Sequence, residues 1–271
     1  AAIFDKAQKT FVKYYQGNGA EQIKPNLMKT LNIKPEEAKA TPVVTFKKET
    51  ILSDITVEQC SIKPTETLTI PMLLLYKGQS SSDKIIIWVN QRGKDITLKS
   101  RLDTITPILE NGYTICLPDL RSMGELSQDD SINHFSHDTD MAFFSIKLGL
   151  PYIGRMVLDA WCVEKSLKAL HPNSQIFLVG DSLAKLNPSH IRQDRLLIDD
   201  GLEDLQSAES IGPLTTLFLS ALEPECQKTL INGCLSSYGN VFEDFYFYHP
   251  ISSFVNGIAL KLDIPEICLG I

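Results

Sequence analysis

No apolar run in this chain approaches the roughly 20 residues needed to cross a bilayer; Ile85–Val89 is typical and far too short. Basic blocks are missing as well. Lys and Arg number 26 against 33 Asp and Glu, a formal charge of -7, so the phosphate-neutralising footprint of a nucleic-acid or anionic-membrane binder is not present. The six cysteines (Cys60, Cys116, Cys162, Cys226, Cys234, Cys268) include no C-x-x-C pair, which removes the usual zinc and redox signatures and leaves buried or free thiols as the expectation. Internal repeats and low-complexity tracts are absent. The opening Ala1-Ala2-Ile3-Phe4-Asp5-Lys6 has neither an initiator Met nor a signal peptide's apolar stretch, and reads as a processed or trimmed end. A secreted or periplasmic location is compatible with it and not required by it.

What the chain does have is core material. Its 271 residues are 43% hydrophobic and 22% charged, the composition of a soluble globular protein. Residues 1–40 carry two helical patterns, Phe4–Tyr15 and Ile23–Leu31, joined by the helix-stopping Gln16-Gly17-Asn18-Gly19, and form a helical lead-in. Residues 41–271 form the main domain. In it, Val43–Phe46, Ile55–Ile62 and Thr67–Tyr76 are rich in Val, Thr and Ile and predict antiparallel strands. Ile85–Val89 is a continuous apolar strand of the kind buried on both faces. Helix, strand, helix, strand and helix then follow at Leu102–Glu110, Tyr113–Leu117, Gly154–Leu170, Ile176–Val179 and Leu214–Leu222. That alternation predicts an α/β fold: a mostly parallel central sheet with helices on both faces, and functional loops at the carboxyl ends of Val89, Leu117 and Val179.

The sharpest chemical signal is Ile176-Phe177-Leu178-Val179-Gly180-Asp181-Ser182-Leu183-Ala184, a buried strand running into G-x-S-x-A. A nucleophile elbow needs small residues two before and two after its serine, where the turn is tight and the following helix packs close. Gly180 and Ala184 satisfy both. A serine at a helix start also gains backbone N–H donors and the positive end of the helix dipole for an oxyanion. The plainer alternative for Ser182 is a helix cap. A second candidate, Glu209-Ser210-Ile211-Gly212-Pro213, precedes the apolar helix Leu214–Leu222 but has no strand before it, and Ser210 also suits a capping role with Pro213 in the first turn.

Several blocks in order resemble the α/β-hydrolase superfamily, in its acetyl xylan esterase-like branch. Ile85–Lys94 (IIIWVNQRGK) is similar to the strand and loop that carry part of the oxyanion hole. Asn111–Glu125 (NGYTICLPDLRSMGE) is similar to a GY-PD-RG-GE block, with Ser122 where the family has Gly. Leu148–Leu170, with Gly154, Arg155 and Asp159, and Leu230–Leu262 with Asp263-Ile264-Pro265, continue the likeness over most of residues 40–271. The resemblance implies ester hydrolysis through an acyl-enzyme, no cofactor or metal, and a small-molecule or carbohydrate ester as substrate, with nucleic acid and membrane excluded as partners. It implies Ser182 as nucleophile with Ser210 as its rival, and an oxyanion held by backbone N–H groups at Gln91, Arg92 and Leu183.

Two departures accompany it. Residues 183–210, 28 in all, stand as an insertion between Gly180-Asp181-Ser182 and Ile211-Gly212; without them the chain would read G-D-S-I-G. The order in such hydrolases is Ser, then acid, then His, and the chain stops at Ile271, ahead of the family's acid-bearing strand and terminal histidine. The fold is therefore expected to be C-terminally incomplete. After Ser182 only His190, inside the insertion, and His249, in a Tyr248-His249-Pro250 stretch resembling a lid or packing motif, remain. His134 and His137 precede it in a polar loop. Asp119-Leu120-Arg121 is expected to form a structural ion pair, and the aromatics Phe242 to Tyr248 a packed flap. A serine without an imidazole partner is a poor nucleophile, so activity is expected to be impaired. The competing expectation is a noncatalytic α/β-hydrolase-like module for binding or assembly, its open sheet edge covered by oligomerisation or by a missing C-terminal partner.

Overall fold

The computed structural model describes residues 20–51, 54–78, 83–127, 137–185, 208–239, 249–269 and 271. The expected helix Phe4–Tyr15, His134, His190 and the aromatic run Phe242–Tyr248 lie outside these residues. Seven strands form one mixed sheet: β1 (Val44–Ile51), β2 (Ile55–Thr65), β3 (Leu68–Lys77), β4 (Lys84–Asn90), β5 (Thr114–Pro118), β6 (Gln175–Asp181) and β7 (Lys228–Ile231). Their spatial order is β1-β2-β3-β5-β4-β6-β7. The first three strands and the β3–β5 pairing are antiparallel, whereas β5, β4, β6 and β7 run parallel. Antiparallel and parallel pairings are thus equal in number, and the parallel half is the part that strand–helix alternation marks.

Among the described residues six α-helices accompany the sheet: α1 (Ile23–Leu31), α2 (Lys94–Glu110), α3 (His137–Lys147), α4 (Tyr152–Leu170), α5 (Ile211–Leu222) and α6 (Ile264–Leu269). Side chains of the sheet alternate between two cores, as the period of two in a strand requires. Ile85, Ile87 and Val89 of β4, with Ile176 and Leu178 of β6, join α1, α4, α5 and α6 in the larger one. Ile86 and Trp88, with Leu73, Leu75, Ile115 and Leu117, face Ile105 and Leu109 of α2. Each such buried aliphatic side chain contributes about 1.5–3 kcal/mol, which is why the apolar strands hold the centre. Ile23, Leu27 and Leu31 of α1 are buried in the same cluster as the sheet.

The helices start earlier than their apolar stripes. α2 begins at Lys94, eight residues before Leu102, because Lys94-Asp95-Ile96-Thr97 is held to the strand ends by polar contacts. α5 begins at Ile211 and every one of its residues is buried, the mark of a helix enclosed all round. β7, only four residues long, and α3 carry too weak a period to be read from sequence. His137 opens α3.

Candidate active site

The carboxyl ends of β4 and β6 lie side by side, with Asn90 opposite Asp181, and the amino end of α5 rests on both. Two glycines make that approach possible. A Cβ on Gly180 would sit 2.7 Å from Pro213 Cα and 2.9 Å from Thr216 Cβ; one on Gly212 would sit 2.9 Å from the Val89 carbonyl oxygen. Gly180 and Gly212 are therefore the two contact points of one helix on two strands, despite 31 residues of chain between them.

Ser210 is the N-cap of α5, with φ -84° and ψ -11°. Its hydroxyl makes no capping bond. Instead Ser210 Oγ lies 3.0 Å from His249 Nδ1. With the ring proton on Nε2, Nδ1 accepts the serine O–H, the arrangement a general base needs. Burial pushes His249 below its ordinary pKa, which keeps the imidazole neutral and able to take a proton. Ser210 itself is 0% exposed.

The first helical N–H, that of Ile211, is capped from outside: it donates to Gln91 Oε1 at 3.2 Å. Gln91 follows β4 directly, and its backbone nitrogen lies 3.2 Å from the position a Gly212 Cβ would take, beside the first turn of α5. The N–H of Arg92 donates to Asn90 Oδ1 at 2.8 Å. That of Leu183 donates to Glu209 Oε2 at 2.9 Å, while Glu209 also accepts from Arg92 Nε. Of the expected oxyanion donors, Gln91 borders Ser210, and the N–H groups of Arg92 and Leu183 are engaged with neighbouring side chains.

Ser182 occupies different surroundings. It donates its N–H to the Asn232 carbonyl at 3.1 Å, and Asn232 donates to the Gly180 carbonyl at 2.8 Å, so the parallel ladder of β6 and β7 extends as far as the Ser182 N–H. Neither Ser182 nor Ser210 has a positive φ. Arg101 of α2 grips Asp181 through Nε (2.8 Å) and Nη2 (3.0 Å) and reaches the Ser182 carbonyl at 3.1 Å. Asn232 Nδ2 donates to Asp181 Oδ1 at 2.7 Å and Asn90 Nδ2 to the Asp181 carbonyl at 2.9 Å. Ser182 Oγ accepts the Ala184 N–H at 3.1 Å, a local turn contact.

Solved structures share the fold. A candidate acetyl xylan esterase from Bacteroides fragilis superposes with a TM-score of 0.67 at 14% identity, over 93% of this chain and 64% of its own. The chain shares the α/β fold of that structure. Acetyl xylan esterase 1 from Thermoanaerobacterium sp. JW/SL YS485 matches at a TM-score of 0.50 and 13% identity, over 82% of this chain and 62% of its own. This chain thus spans less than two thirds of either neighbour. No family model and no curated protein matches the sequence.

Other residues of the sequence blocks quoted above hold the scaffold. Asp119 accepts from Lys94 N (2.7 Å), Lys94 Nζ (2.9 Å) and Glu125 N (2.9 Å), and Arg121 forms a two-pronged pair with Asp159 at 2.7 and 2.6 Å. Ser122 sits at φ +58°, the left-handed conformation that explains a glycine at this place in the family pattern. Among the described residues no cluster of three His, Cys, Asp or Glu is arranged to hold a metal ion. His249, read from the sequence as part of a lid or packing stretch, is the residue that the structure sets beside Ser210. One signal could have found it: it is the sole histidine downstream of Ser210.

Proposed function

We propose that this protein is an ester hydrolase working through an acyl-enzyme at Ser210, with His249 as its base. The observation that carries the reading is the 3.0 Å contact between Ser210 Oγ and His249 Nδ1 at the mouth of α5. A serine at an N-cap ordinarily turns its oxygen back on the helix, and this one turns it to an imidazole. The esterase neighbours support carboxylic or carbohydrate esters as the substrate class.

In the proposed cycle the Ser210 hydroxyl attacks the ester carbonyl while its proton passes to His249 Nδ1. The oxyanion takes the N–H of Ile211, assisted by the backbone of Gln91 and the positive end of α5. Collapse expels the alcohol, which receives the proton from His249. A water then loses its proton to His249 and releases the acid, restoring Ser210. The resting site is slow, because Ser210 is buried and the Ile211 N–H is occupied.

A fluorophosphonate probe with peptide mapping tests this. Labelling at Ser210, lost in Ser210→Ala and kept in Ser182→Ala, is the expected outcome. Absence of labelling together with no turnover of p-nitrophenyl acetate would favour the noncatalytic module, the reading to which the full burial of Ser210 lends weight.

A further inference from the structure

We propose that Gln91 is a built-in gate, a side chain whose carboxamide stands in for the substrate carbonyl. This rests on the acyl-transfer reading of Ser210 and goes beyond it by naming what keeps the site shut. Three observations converge. Gln91 Oε1 accepts the N–H of Ile211, the residue after the proposed nucleophile, at 3.2 Å. An sp² carbonyl oxygen at that donor is chemically what an ester presents on the way to its tetrahedral intermediate. Second, Ser210 and Ile211 are 0% and 2% exposed, whereas Gln91 is only half-buried and is followed by exposed Arg92. The outermost member of the group is thus the one covering the donor. Third, the gate is hinged on a fixed post: the Asn90 side chain is tied at both ends, its Nδ2 donating to the Asp181 carbonyl and its Oδ1 accepting from Arg92 N. Rotation about the Gln91 side-chain bonds would release the Ile211 N–H while Asn90 stays in place.

The contact is a neutral hydrogen bond, and such a bond holds a closed state over an open one by about fivefold, corresponding to about 1 kcal/mol. A substrate must displace it, so the gate lowers apparent affinity and rate together by that factor.

The test measures two quantities in the full chain. One is the second-order rate of fluorophosphonate labelling at Ser210, in which an Oγ–P bond forms, P–F breaks and His249 takes the serine proton. The other is hydrogen–deuterium exchange of the Ile211 amide by NMR, which needs no activity. Gln91→Met keeps the volume and removes the acceptor: labelling and Ile211 exchange should each rise about fivefold. Gln91→Glu puts a charged acceptor on the same donor, so labelling should fall below wild type and exchange should slow. Unchanged exchange in Gln91→Met, or faster exchange with labelling that is unchanged or slower, overturns the gate. Faster exchange with no labelling of Ser210 in any of the proteins sinks the acyl-transfer reading and takes the gate with it, leaving Gln91 a plain helix cap.

Discussion

Replacing Glu164 with glutamine should flatten the dependence of stability on pH. Glu164 lies on α4 with 1% of its surface exposed, and neither of its carboxylate oxygens has a hydrogen-bond partner. Lys165 Nζ is 3.5 Å away, but that ammonium is committed to Glu223 at 2.6 Å. Burial, followed by the attraction of Lys165 and the repulsion of Glu223, leaves the Glu164 carboxyl raised from 4.5 to about 7. The sign follows from which state holds the proton. Below about pH 4.5 both folded and unfolded chains carry it, and the native site bears no charge penalty. As pH rises the unfolded chain releases its proton first, so stability is lost progressively until pH passes about 7 and the folded group ionises too. At 1.36 kcal/mol per pH unit, the full loss is about 3 kcal/mol. Glutamine cannot ionise, though its amide is no better satisfied in this pocket, so the readout is the pH slope and not the offset. Urea unfolding of both proteins from about pH 4.5 to about pH 8.5 gives the difference directly, other titrations cancelling. The variant should gain about 3 kcal/mol on wild type across that range. A gap that stays constant, or moves the other way, refutes the placement of a poorly paired carboxyl at this position.

Three further outcomes are expected. Gly180→Ala forces a Cβ to within 2.7 Å of the α5 backbone and should destabilise by roughly 1–3 kcal/mol in urea while slowing labelling at Ser210, since the helix must shift to make room. Asp159→Asn leaves the half-buried guanidinium of Arg121 without its counter-charge and should cost about 3 kcal/mol by the same assay, with little change in labelling pattern. The labelling rate should fall with acid through a pKa below the usual histidine value of about 6.5, because burial of His249 disfavours its protonated form; a limb above that value would assign the base elsewhere.

The parallel strands β4, β5 and β6 were legible because burial on both faces writes itself as unbroken runs such as Ile85–Val89. Likewise α4 and α5 show as long apolar segments. The antiparallel β1, β2 and β3 followed from their content of β-branched residues. What could not be read was the surroundings of the two candidate serines. Chain order sets Ser182 directly after a strand, which is where an elbow would be sought. In the folded molecule Asn232 pairs with that residue and extends the ladder, a long-range contact with no local signature. Ser210 has no strand before it in the chain, but acquires one in space when Gly180 meets Pro213 and Thr216. Glu164 and Arg101 are ordinary polar residues in the sequence; only tertiary contact gives each its particular environment.

On the proposed reading of residues 183–210 as an insertion, that separation of chain order from geometry explains how it is tolerated between β6 and α5. The seat of α5 is fixed by Gly212 against β4 and Gly180 against β6, neither of which requires α5 to follow β6 immediately. The inserted residues leave and return at one place, since Leu183 N donates to Glu209 Oε2 and Glu209 is anchored in turn by Arg92. Closing a connection of some 28 residues in place of a turn of three or four is three doublings of loop length, about 2 kcal/mol of entropy. Packing of a fully buried 12-residue helix exceeds that readily. Ser210 rests there in ordinary helical conformation with no positive φ, fully buried, while Gln91 caps the Ile211 N–H from the end of β4.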